Sequence, residues 1–176
     1  MDWRRWPASV KAYVAAVVGV GVPVYGWALY HSIATAVTYP ADKLVSLLGI
    51  LVVAGLSARW VVRIPRTTNW IAVADCLVIS IVMIFGLAPG IVAHGFFHAV
   101  SYWYAVEREP QEHLGVQLIW SRLRALFNLS LGAIHALAYG TVFLALKPSE
   151  PITAPEIVVP VLLLGLTYFF SNALGI

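Results

Sequence analysis

His94 and His98 stand four residues apart in apolar sequence, and His135 lies alone in another apolar stretch. On a helix that spacing puts two side chains on one face about one turn apart. The pair could therefore ligate one metal ion, and His135 from a neighbouring helix could supply a third nitrogen and leave a coordination position open. Two histidines on different helices could also hold a haem axially. The intervening residues are Gly95-Phe96-Phe97, so the acidic partner of the zinc-protease motif is missing. The competing reading is simpler: each imidazole is neutral, satisfied by a carbonyl or a hydroxyl, and ties helices together. On that reading no resident metal or cofactor is needed.

Asp75, Asn128 and Asn172 complete the set of strongly polar side chains inside apolar runs. Such groups are costly in hydrocarbon and usually face the interior of a bundle, so each is a candidate ligand-binding residue. Counted along helices from the ends of the apolar runs, all three sit roughly 6–8 Å deep and could share one polar level. His98 and His135 then lie near mid-span, and His94 in the outer half. Asp75 is the one acid among them, and a carboxylate at that depth needs a partner. Replacing it with asparagine is expected to alter a ligand response while leaving insertion and folding intact. His31 and His113 fall in or beside loops. A glycine-rich phosphate loop, paired catalytic carboxylates and a serine elbow are all missing, so an enzyme is not expected.

The elements that must carry these residues follow from composition. The chain has 176 residues, of which 61% are hydrophobic and 11% charged, with a mean hydropathy of +0.85. Soluble domains average about 45–50% apolar and about 25% charged, so this chain has too little charge to cover a wet surface. Cys76 is the single cysteine, which excludes an internal disulfide framework. Six apolar stretches, at about 12–30, 44–62, 70–87, 90–106, 123–146 and 157–176, each have a length that crosses roughly 30 Å of hydrocarbon as a helix. They are apolar on every face, unlike the alternating strands of a barrel. The expected fold is all-α, a single polytopic transmembrane bundle of six helices. Proline-containing turns at Tyr39 to Asp42, Gly86 to Gly90 and Lys147 to Pro151 join the helices on one side.

Of the eleven Lys and Arg residues, all but Lys43 and Lys147 fall on the other side. The positive-inside rule then places both the N-terminus and the C-terminus in the cytoplasm. The sequence pI of about 9.2 is thereby a collar at one membrane face and no sign of nucleic-acid binding. Trp3, Trp6, Trp60, Trp70, Trp103 and Trp120 belong to the same face, at the headgroup level that amphipathic rings prefer. The Arg122/Arg124 pair is expected to anchor to anionic lipid.

From Arg59 onward the order of motifs is distinctive. A basic turn holds Arg63 and Arg66, and a helix follows with an acid near its start, Trp70-Ile71-Ala72-Val73-Ala74-Asp75. That helix ends in the hairpin Phe85-Gly86-Leu87-Ala88-Pro89, Arg124 to Ser130 opens the fifth span, and Tyr168-Phe169-Phe170-Ser171-Asn172 closes the sixth. This pattern resembles the N-terminal membrane sensor modules that precede diguanylate cyclase (GGDEF), cyclic-di-GMP phosphodiesterase (HD-GYP) or histidine kinase output domains in bacteria. The resemblance implies a sensory input module in the bacterial inner membrane. Asp75, Asn128 and Asn172 would be its polar residues. Its partners would be the bilayer, a small-molecule ligand, and a second copy or a cytoplasmic signalling protein. Two other functions fit six short helices: a vitamin-binding transport subunit, and a metal or haem protein using His94, His98 and His135.

Overall fold

The computed structural model describes residues 6–57, 61–63, 70–107 and 114–146. The chain forms α1 (Ala8–Ala36), α2 (Ala41–Ser57), β1 (Val61–Arg63), β2 (Trp70–Ala72), α3 (Val73–Phe85), α4 (Leu87–Glu107) and α5 (Leu114–Leu146). Helix is the dominant structure, as expected. The expected sixth span, 157–176, lies outside the described residues.

Two helices are shorter than their apolar runs. The stretches 44–62 and 70–87 are expected from hydropathy to be helical throughout, but Val61–Arg63 and Trp70–Ala72 are strands. They pair antiparallel, Val61 opposite Ala72 and Arg63 opposite Trp70. The reason is local: Val61-Val62 and Trp70-Ile71 are β-branched or aromatic pairs, which fit a pleated strand better than a helix end. What remains is an α2 of 17 residues and an α3 of 13. At 1.5 Å per residue α3 rises about 20 Å, short of the roughly 30 Å of a hydrocarbon core. Among the described residues two segments are long and apolar enough to cross a membrane, α1 and residues Arg122–Leu146 of α5, with Leu87–Ser101 a shorter apolar helix.

The junction between α3 and α4 is also tighter than the expected five-residue turn. Gly86 alone separates the helices, with φ of +97°, a conformation open to glycine because it has no Cβ. Its N–H donates to Val82 O, and the Gly90 N–H donates to Gly86 O. Leu87, Ala88 and Pro89 belong to the first turn of α4, where proline's missing N–H leaves no hydrogen bond unmade. Nearby, the Tyr39 hydroxyl donates to Phe85 O at 3.2 Å and Lys43 Nζ lies 4.4 Å from the Tyr39 ring centre. These contacts fasten the α1–α2 turn to the end of α3.

The core sits where α3, α4 and α5 meet, around Val78, Ile81, Val82, Ile91, Phe97, Ala133, Ala136, Tyr139 and Phe143. α1 joins this core along a narrow stripe: only Val17, Gly21 and Ala28 of the helix are buried. Its other faces expose Val20, Val22, Trp27, Leu29, Tyr30 and Ile33, and α2 likewise exposes Val45, Leu48, Val52, Val53 and Leu56.

Candidate functional site

α4 and α5 run antiparallel and come unusually close. A Cβ on Gly132 would stand 3.0 Å from His94 O, 3.1 Å from Gly95 Cα and 3.1 Å from His98 Cβ, and one on Gly95 would stand 2.9 Å from Leu129 O and from the Tyr25 ring. Further along, a Cβ on Gly140 would meet the end of the Leu87 side chain. Small residues at facing positions are what let two helix backbones approach this way. α1 closes on the same place, since its Gly21 lies directly against Ser130.

The close approach has a chemical result. His94 is fully buried, and its Nδ1 lies 3.0 Å from Gly132 O. A carbonyl can only accept, so this nitrogen carries the proton and the ring's lone pair is on Nε2. The His94 ring meets His98 edge to face with centres 4.5 Å apart, and meets Tyr139 at 5.5 Å. His98 meets His135 at 6.2 Å, with the rings nearly perpendicular. The three histidines expected to converge are therefore one cluster, with His135 buried and Tyr139 fully so. His94 is held by a backbone carbonyl, as the interhelical-tie reading expects.

The metal reading finds less. Among the described residues no group of three His, Cys, Asp or Glu side chains is arranged to hold a metal ion. A metal bridging these rings would need nitrogens converging at about 2.0–2.1 Å. What the cluster offers as it stands is a set of hydrogen-bond donors and acceptors in an apolar interior.

Of the expected polar level of Asp75, Asn128 and Asn172, the last lies outside the described residues. Asp75 is the third residue of α3, because that helix begins at Val73 and not at Trp70. The first turn of a helix presents unpaired N–H groups and a positive dipole end, a place that suits an acid for structural reasons. Asn128 is half-buried on α5, about 10 Å along the helix from His135. The candidates drawn from the sequence omit Tyr139, although it follows His135 by four residues and so shares its helix face. They omit Ser130 too: it is fully buried, and its hydroxyl has no hydrogen-bond partner among the described residues.

Compared with protein-family models, with curated proteins and with solved structures, the chain finds no match.

Proposed function

We propose that the chain is a multi-pass membrane protein of the bacterial inner membrane that acts as a sensory or ligand-binding input module. In this reading the His94, His98, His135 and Tyr139 cluster is the site at which a small hydrogen-bonding ligand acts. The observation that carries it is the contrast between inside and outside. Three histidine rings and the Tyr139 ring are gathered between α4 and α5, while the outer faces of α1 and α2 are covered with exposed aliphatic side chains. A soluble protein rarely exposes that much contiguous apolar surface, and a lipid-facing protein must. Trp6, just before α1, and the Trp27/Tyr30 pair within it also stand about 32–36 Å apart along the helix, near the spacing of two headgroup levels.

The mechanism needs a ligand that prefers one of two helix arrangements. A ligand that takes the His94 Nδ1 proton for its own hydrogen bond removes the tie to Gly132 O and frees α4 to shift on α5. Packed interfaces answer such a change by switching between discrete arrangements. A fusion placing a diguanylate cyclase after Ile176 tests this. His98→Ala and His135→Ala are expected to change cyclic-di-GMP output about fivefold or more, the lower end of ordinary coupling free energies, at an unchanged amount of membrane-inserted protein. Unchanged output in both variants would sink the sensory reading. A haem absorption band in the purified protein would instead move the cluster to cofactor binding.

A further inference from the structure

The N-terminal end of α1 and the Arg122–Phe127 stretch of α5 enclose a cleft of about 350 Å³, lined by Trp6, Val10, Tyr13, Leu123, Arg124 and Phe127. It is far along the helices from the histidine cluster: Phe127 precedes His135 by eight residues, or about 12 Å. Its size is at the lower end of small-molecule sites. The lining is apolar and aromatic, with Tyr13 and Phe127 meeting edge to face at 5.9 Å, and Arg124 is the one charged side chain in it.

We infer that this cleft binds one phospholipid with a net negative headgroup, its phosphate on Arg124 and its first acyl methylenes against Val10, Leu123 and Phe127. The inference rests on the membrane reading above. Three independent features point to it. A guanidinium recognises phosphate by paired N–H donors. α1 begins at the cleft with Pro7 in the capping position and no side-chain cap, so the positive end of the helix dipole adds to Arg124 there. Trp6 and Tyr13 are the amphipathic rings that settle at headgroup depth. Two positive features at one mouth favour a net anion over a zwitterion, whose own cation they repel.

The geometry separates a built site from a general basic collar. Arg122 and Arg124 are both exposed, but side chains two residues apart do not share a helix face, and only Arg124 lines the cleft. Arg122→Gln and Arg124→Gln therefore remove the same charge from the same end of the molecule, and only the second alters the site. The test is native mass spectrometry of the full chain released from micelles holding equal amounts of phosphatidylglycerol and phosphatidylcholine with identical acyl chains.

One retained lipid is expected, with phosphatidylglycerol preferred about fivefold, the factor equivalent to the roughly 1 kcal/mol contributed by one basic residue at a membrane surface. Arg124→Gln abolishes the preference and Arg122→Gln leaves it. Val14→Phe, which fills the cleft, lowers retention of both lipids. Equal retention of the two lipids by the unaltered chain, or equal loss in the two arginine variants, overturns the inference. Displacement of the lipid by inorganic phosphate overturns it also, and assigns the site to a soluble anion. Alkaline extraction of the source membranes separates this outcome from the broader one. A chain released into the supernatant sinks the membrane reading and the cleft with it, whereas a chain that stays in the membrane and shows no lipid preference sinks only the cleft.

Discussion

His94 reaches the Gly132 carbonyl because both backbones can close on each other at Gly95 and Gly132. A methyl group at 132 would press on His94 O and His98 Cβ at 3.0 and 3.1 Å, and backbone atoms cannot turn aside as a flexible side chain can. Gly132→Ala is therefore expected to lower stability by about 1–3 kcal/mol, the ordinary cost of overpacking. Gly49→Ala, with open space at its Cβ position, should be neutral or slightly stabilising through its better helix propensity. Thermal unfolding of the detergent-solubilised variants checks both, and a Gly132→Ala midpoint equal to that of Gly49→Ala would show that the helices are not this close. The three histidines are legible in the sequence because polar residues in apolar runs are few and costly. Depth puts His98 and His135 near one level, but their gathering with His94 depends on the close approach of α4 and α5 at Gly95 and Gly132. Tyr139 is not legible, since a tyrosine in a mostly apolar helix gives no signal until its neighbour is known. Asp75 counts as five residues deep only from a helix start at Trp70; Trp70–Ala72 is strand, which leaves the acid in the first turn of α3.

At the scale of elements, hydropathy locates the helices well and their ends less well. The apolar runs 44–62 and 70–87 are continuous, and such runs do not distinguish a helix end from a short strand by periodicity. The β-branched and aromatic content of Val61-Val62 and Trp70-Ile71 is the available sign of the hairpin. The α3–α4 junction reads as a longer turn because it contains two glycines and a proline. The structure divides their roles: Gly86 supplies the positive φ, Pro89 sits in the first turn of α4, and Gly90 makes room for Val82. A methyl group added at Gly86 would meet no atom within 4 Å, so its substitution cost is conformational and not steric. Gly86→Ala should cost about 1–2 kcal/mol. Gly86→Asn should cost less, since asparagine tolerates positive φ, and Gly86→Val more, since branching at Cβ makes that region worse. The order Asn, Ala, Val in unfolding midpoints is the measurement; an order following side-chain size alone, with Ala least harmful, would point to packing as the constraint.

For the whole molecule the deciding quantity is what meets its outer surface. Val20 is 56% exposed and Val52 62%, values that cost little in lipid and much in water. At the α1–α4–α5 junction folding has buried small residues together with His94 and His135, while large aliphatic side chains of α1 and α2 stay exposed. Cys76 is the only cysteine, so a Cys76→Ser background permits single cysteines to report their surroundings. In intact cells a membrane-impermeant maleimide should label Thr38→Cys, in the exposed α1–α2 turn, if that turn faces outward as the basic collar requires. Val20→Cys and Val52→Cys should react at least about tenfold more slowly, because thiolate formation and attack need water that hydrocarbon excludes. All three should label alike after denaturation. Fast labelling of Val20→Cys and Val52→Cys in the intact membrane would leave the apolar faces in water and remove the physical basis for a membrane-embedded module.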